Sequence, residues 1–180
     1  ARLTLCCDSD RAVEAPRLSG QIGAGPATPL IGFVGYLVGQ KRPERTLDVL
    51  ARVRAGGVPA HLVIAGDGPL RPMLEQAIRD RRLQDHVTLL GHLDDPEHVF
   101  GGVDLALLTS EEEGIPGVAI EAAMTGCPFV TFALGGVGGV VVDGVTGIVI
   151  AQQDIKVMAE RVTELLRDDD EMLESLGAQH

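Results

Sequence analysis

Tryptophan is absent and aromatic residues make up only 3% of the chain, so no core of large rings is available. The interior must be built from Val, Leu, Ile and Ala, the composition of parallel strands buried on both faces. Basic residues are also scarce: 15 Lys and Arg face 26 Asp and Glu, for a net charge of −11. Such a chain lacks the clustered cations that displace counterions from a phosphate backbone, and anionic lipid repels it. Nucleic acid is therefore excluded as an expected partner. No apolar run approaches the roughly 20 residues of a spanning helix, so no transmembrane segment is expected. The start "ARLTLCCDSD" lacks a basic region followed by a long apolar run, unlike a secretory signal, and Ala1 in place of Met points to a fragment or a processed chain. Cysteine is nearly missing. Cys6, Cys7 and Cys127 form no disulfide framework, and no Cys/His spacing fits zinc, so a reducing, cytoplasmic setting without a metal is expected. Cys127 reads as a small buried residue.

What is present is the alternation of short apolar runs with helical patterns that marks repeated βα units around a parallel sheet. At 180 residues the chain is long enough to bury roughly 68 to 70% of its unfolded surface in one core. "LIGFVG", "HLVIAG", "HVTLLG", "VDLALL", "FVTFA" and "GIVIA" read as six strands. Between them, Pro43 opens a helix with Leu47, Leu50 and Val53 on one face and Gly56 at its end. A second helix carries Leu70, Met73, Leu74, Ala77 and Ile78 on one stripe. Asp95 and Pro96 begin a short third helix, and "GVAIEAAMTG" a fourth, stopped by Gly126 and Pro128. One or two terminal helices follow, the first with Ile155, Met158, Val162 and Leu165 buried. "SGQIGAGPATP" is small, Gly/Pro-rich and aperiodic, so residues 1–29 are expected to be an N-terminal segment and interdomain linker, and 30–180 the folded domain. The expected fold class is α/β, a Rossmann-like parallel sheet of about six strands with helices on both faces.

In such sheets ligands bind beyond the carboxyl ends of the strands. Three loops there are polar: "GYLVGQKR", "GHLDDP" and "TSEEEGIPG". The last is the most specific. Gly114 and Gly117 let backbone amides approach a ligand, and the following helix start suits phosphate. Glu113 before the turn and Glu121 one turn into an otherwise apolar helix can each accept hydrogen bonds from hydroxyls, at roughly 1.5 to 3 kcal/mol per charged bond. The competing reading is a solvated loop and a solvated helix position. Lys41 or Arg42 can neutralise a diphosphate leaving group, against the alternative of an exposed basic pair. "GDGP", Gly66 to Pro69, reads as a strand-to-helix turn. "GGVGGVVVDG" is not G-x-G-x-x-G, because the sixth position from Gly136 is Val141, so a dinucleotide oxidoreductase is poorly supported.

"FVGYLVGQKRPERTLDVL", "HLVIAGDGPLRPMLEQ", "VTLLGHLDDPEHVF", "DLALLTSEEEGIPGVAIEAAMTGCPFVTFALGG" and "DGVTGIVI", in this order, resemble the C-terminal donor-binding domain of retaining glycosyltransferases of the GT-B fold, the group 1 family. The resemblance spans roughly Ile31 to Leu166 and includes two Glu separated by seven residues. It implies one half of a GT-B fold and a hexosyltransferase-type enzyme that moves a sugar from a nucleotide diphosphate sugar, with retention and no cofactor or essential metal. It implies that Glu113 contacts the transferred sugar and Glu121 the ribose. Gly114, Ile115, Pro116 and Gly117 would hold sugar and diphosphate by backbone, with Val118 against the ribose. Lys41 would contact the phosphates, beside Gly35, and the loop Gly91, His92 and Leu93 would hold the base. Two positions depart from the family pattern. Tyr36 stands where Arg is usual, with Arg42 as a partial replacement, and Gly139 stands where Glu is frequent. The partner implied is an N-terminal, acceptor-binding domain, through which the protein could sit peripherally on a membrane. The alternative is a divergent non-catalytic nucleotide-binding or scaffolding domain of the same fold.

Overall fold

The computed structural model describes residues 18–167. Cys6, Cys7, most of the expected linker and any second terminal helix lie outside the described residues. Six strands, β1 (Leu30–Val34), β2 (His61–Ala65), β3 (Val87–Gly91), β4 (Leu105–Leu108), β5 (Phe129–Phe132) and β6 (Gly147–Ile150), form one sheet. All pairings are parallel, in the order β3-β2-β1-β4-β5-β6. The helices are α1 (Ser19–Ile22), α2 (Glu44–Ala55), α3 (Arg71–Asp80), α4 (Glu97–Phe100), α5 (Gly117–Met124) and α6 (Ile155–Leu165). The chain builds outward from β1 to β3, then returns to lay β4 on the other side of β1. That reversal opens a crevice at the carboxyl ends of β1 and β4.

Successive side chains of a strand point to opposite faces, and the core divides accordingly. Ile31 and Phe33 of β1 and Leu62 and Ile64 of β2 join Leu47, Leu50 and Val53 of α2 and Met158, Val162 and Leu165 of α6. Leu30, Val63 and Ala65 instead meet Val99 of α4 and Leu18. Cys127 is buried as expected, and burial pushes its thiol far above the usual range, so it stays protonated. Asp154 caps α6, accepting from the amides of Lys156 and Val157 at 2.8 and 3.4 Å. No helix among the described residues is long and apolar enough to cross a membrane.

Two expectations about packing change. Met73, expected on the buried stripe of α3, is 39% exposed, whereas Leu74 and Ile78 are buried. The stripe is centred on the Leu74–Ile78 pair, and a residue one step earlier lies about 100° round the helix. The stretch before Leu30 is not featureless either. From Ser19 it forms one helical turn, and Leu18 is buried against the sheet, with Ile22 packed onto the same cluster. Small residues around this i, i+4 pair had hidden its spacing.

Candidate functional site

The crevice is built by loops stitched together through their backbones. After β1 the chain makes a one-turn 3-10 helix, Gly39–Lys41, fastened by hydrogen bonds to the loop after β4. The amide of Glu111 donates to the Gln40 carbonyl at 3.0 Å, and the Thr109 hydroxyl donates to the carbonyls of Lys41 and Arg42 at 3.2 and 3.0 Å. This places Lys41 against Glu113. Lys41 Nζ lies 2.6 Å from Glu113 Oε1, and the Ser110 hydroxyl donates to the same oxygen at 2.6 Å. The Glu113 side chain is 7% exposed. Both donors use Oε1, so Oε2 has no protein partner among the described residues.

The loop is held from behind by "GG" at Gly135 and Gly136. The Gly136 amide donates to the Gly114 carbonyl at 2.9 Å. Gly135 has φ of 33°, and a Cβ there would run into the Glu113 carbonyl, so this position requires glycine. In front the situation reverses: a Cβ at Gly114 or Gly117 would meet no protein atom within 4 Å. No protein neighbour demands glycine at those two positions. Pro116 is buried, Ile115 is 71% exposed, and Val118 is partly buried against the core. Helix α5 starts without a side-chain cap; the Ala119 amide donates to the Pro116 carbonyl at 3.0 Å, and the amides of Gly117 and Val118 are left at the positive end of the helix dipole. Glu121 is half-buried on α5, and its carboxylate makes no protein contact among the described residues.

A cleft of ≈ 270 Å³ lies beside this group, lined by Gly35, Tyr36, Gly66, His92, Leu93 and Pro96 among others. The first and second polar loops therefore share one wall, while the loop carrying Glu113 does not line this cleft. Gly91 ends β3 with φ of 77°, and a Cβ there would press on the Arg71 guanidinium. Tyr36 and His92 are exposed at the rim, and Leu93 is half-buried. The cleft floor is main chain on main chain. Gly66 and Gly68 have φ of 142° and 153°, and a Cβ on either would strike the backbone of Gly35 or Leu37. Leu37 donates its amide to the Asp67 carbonyl at 2.9 Å and accepts from Leu70 at 3.0 Å. "GDGP" is a turn, as read, and it also braces the loop after β1.

Arg42 is held elsewhere. Its Nε lies 2.9 Å from Glu44 Oε1 and 3.5 Å from Glu111 Oε1, and Arg45 reaches the same Glu111 oxygen at 3.4 Å. Glu112 is exposed, and Glu111, also exposed, is engaged by the two arginines rather than merely solvated. Among the described residues no three His, Cys, Asp or Glu side chains converge as a metal cluster.

The pattern of the group 1 glycosyl transferases matches residues 16–179. The chain belongs to this family. It is 34% identical over 152 residues to the alpha-D-kanosaminyltransferase of Streptomyces kanamyceticus, covering 83% of this chain and 39% of that protein. It is 32% identical over 170 residues to the glycogen synthase of Mycobacterium tuberculosis strain H37Rv, covering 93% and 41%. The chain thus spans about two-fifths of the length of these two relatives. In fold it resembles Anabaena Alr3699/HepE, solved in complex with UDP-glucose, with a TM-score of 0.80 at 23% identity over 90% of this chain and 45% of that one. S. aureus TarM gives 0.79 at 24% identity, over 84% and 31%. The chain's fold is a six-stranded, doubly wound parallel sheet like that of these structures, as the sequence implied.

Within this glycosyl transferase fold, the residues missed from sequence are Ser110, Gly135 and Gly136. Ser110 sits three residues before Glu113, a spacing that was available to notice. The two glycines stood in the sequence only as the start of a Gly-rich stretch that is not G-x-G-x-x-G.

Proposed function

We propose that this chain is the donor-binding half of a hexosyltransferase-type glycosyltransferase. The whole enzyme would move a sugar, with retention, from a nucleoside diphosphate sugar to an acceptor held mainly by an N-terminal domain. The observation that carries this reading is the contact of Lys41 with Glu113 at the sheet reversal, where a cation for diphosphate and a carboxylate for hydroxyls stand side by side. Lys41 would turn from Glu113 toward the diphosphate and stabilise the charge that grows as the sugar leaves, together with the α5 amides. These cationic groups supply the role a metal would otherwise take. Oε2 of Glu113 would accept from the sugar, and the free Glu121 carboxylate from the ribose. Open space before Gly114 and Gly117 suits a ligand lying against backbone, and the cleft at Tyr36, His92 and Leu93 suits the base. HepE, solved with UDP-glucose, makes UDP the first nucleotide to try. A reducing, cytoplasmic setting accords with Cys127 being in no disulfide, with any peripheral membrane attachment residing in the further domain.

Calorimetry with UDP, GDP and ADP tests the site. One of them should bind weakly to the chain, and less well to Lys41→Ala and Glu121→Ala. Equal binding by all three proteins, or none by the wild type, removes the assignment. The chain alone should transfer nothing.

A second reading, a non-catalytic nucleotide-binding scaffold, has one observation in its favour. Arg42 Nε lies beside the Glu44 and Glu111 carboxylates, which favours the view that nothing stands in for the arginine replaced by Tyr36. A transfer assay on the longer protein separates the two. Nucleotide binding without turnover for any donor selects the scaffold.

A further inference from the structure

At the opposite end of the sheet from Lys41 and Glu113, a polar cavity of ≈ 550 Å³ opens at the amino ends of β2 and β3. Thr28, Arg54, His61, Asp85, His86 and Thr88 contribute to its wall. Arg54, in the last turn of α2, is half-buried. Its Nη1 donates to the Ala60 carbonyl at 2.7 Å, and its Nη2 lies 3.0 Å from His86 Nε2. A guanidinium only donates, so His86 Nε2 accepts and the ring proton sits on Nδ1. Those two contacts leave the other Arg54 donors without protein partners among the described residues. His61, 8% exposed, shares a 2.8 Å hydrogen bond with the Thr88 hydroxyl.

Arg54 belongs to the half of the described arginines that have no carboxylate partner, and among these it is the one that lines this cavity. Arg42, Arg45, Arg71, Arg81 and Arg161 each lie against a carboxylate. Arg54 instead faces a neutral ring and a carbonyl. Asp85, the one acidic residue on the wall, is exposed and forms no ion pair with it. A partly desolvated guanidinium whose fork still has unused donors matches the oxygens of a phosphate group, and hydroxyl and imidazole groups stand around it. The cavity exceeds what the ion alone would fill. We propose that this cavity binds a phosphate-class oxyanion, inorganic phosphate or a small phosphate monoester, separately from the site at the sheet reversal.

The test follows the histidine ring resonances of the chain during titration with inorganic phosphate at constant ionic strength, with sodium chloride as the control and glycerol 3-phosphate as a second probe. Saturable shifts at His61 and His86 are expected, with affinity about tenfold weaker in Arg54→Gln, the loss of one charge-assisted contact. If Arg54→Gln does not fold, Arg54→Lys, which keeps the charge but loses the fork, should also weaken binding. Tighter binding of glycerol 3-phosphate identifies an organic monoester, and equal or weaker binding identifies phosphate itself. Shifts reproduced by chloride, or unchanged in the Arg54 variants, overturn the proposal. So does loss of the phosphate response in Lys41→Ala, since that would move binding to the other end of the sheet.

Discussion

Lys41 and Glu113, 72 residues apart in sequence, meet at 2.6 Å where the strand order reverses. The cation is paired with a carboxylate, so in the proposed site a diphosphate would have to compete with Glu113 for it. Replacing Glu113 with Gln removes that competitor along with a negative charge beside the phosphates. Glu113→Gln should therefore bind the preferred nucleoside diphosphate several-fold more tightly, on the order of 1 kcal/mol, while transfer by the longer protein falls. Calorimetry beside a transfer assay reads both; unchanged or weaker nucleotide binding would show that the pair does not gate the phosphates.

Lys41→Ala acts in the other direction. It leaves Glu113, nearly buried, with Ser110 as its one remaining donor. Stability should fall by about 1–3 kcal/mol. Affinity for the diphosphate should fall tenfold or so, the value of one charge-assisted bond, with nucleoside binding unchanged. Urea unfolding and binding isotherms for UDP against uridine are the measurements.

Gly135→Ala tests the support behind the loop. The new methyl would collide with the Glu113 carbonyl at a backbone conformation that disfavours a side chain. A cost of about 1–3 kcal/mol is expected, with nucleotide binding weakened because Glu113 moves. Gly114→Ala, with open space in front, should leave stability almost unchanged and still weaken binding. A melting curve and a binding isotherm for each variant distinguish structural glycine from ligand-facing glycine.

His61 gives a pH dependence. Burial, then His86 and Arg54, lower its pKa below the ordinary value of 6.5. As pH falls through 6.5 the unfolded chain takes up the proton first, so stability declines from there toward the lower folded-state pKa. Above about 6.5 the contribution is fully present. Denaturant unfolding should show less stability at pH 5.5 than at pH 7.5, with a smaller difference in His61→Gln. An equal pH difference in the variant would assign the slope to other groups.

The order of strands and helices was legible because each apolar run and each helical stripe is a local pattern. Lys41 and Glu121 stood out because their residue types are out of place locally, a cation at a helix start and a carboxylate within an apolar helix, whereas Glu113, last of three consecutive Glu, stood out only by its spacing to Glu121 in the family motif. Other features depend on which loops meet. Nothing near Arg42 in sequence announces Glu111 as its neighbour. Nor does "GG" at 135–136 announce the back of Glu113. Met73 and Leu18 were misjudged for a different reason. A helical stripe has a centre, and a short apolar pair among small residues has little amplitude, so composition blurs both.

The floor of the cleft is made where Gly66 and Gly68 press on Gly35 and Leu37, main chain against main chain. Side chains take no part in that joint, so substitutions at the rim, Tyr36 and His92 among them, do not disturb it. The floor acts as a fixed chassis, and the rim as interchangeable fittings. Tyr36 and His92 can thus vary in size or polarity and reshape the mouth of the cleft while the joint beneath them stays as it is.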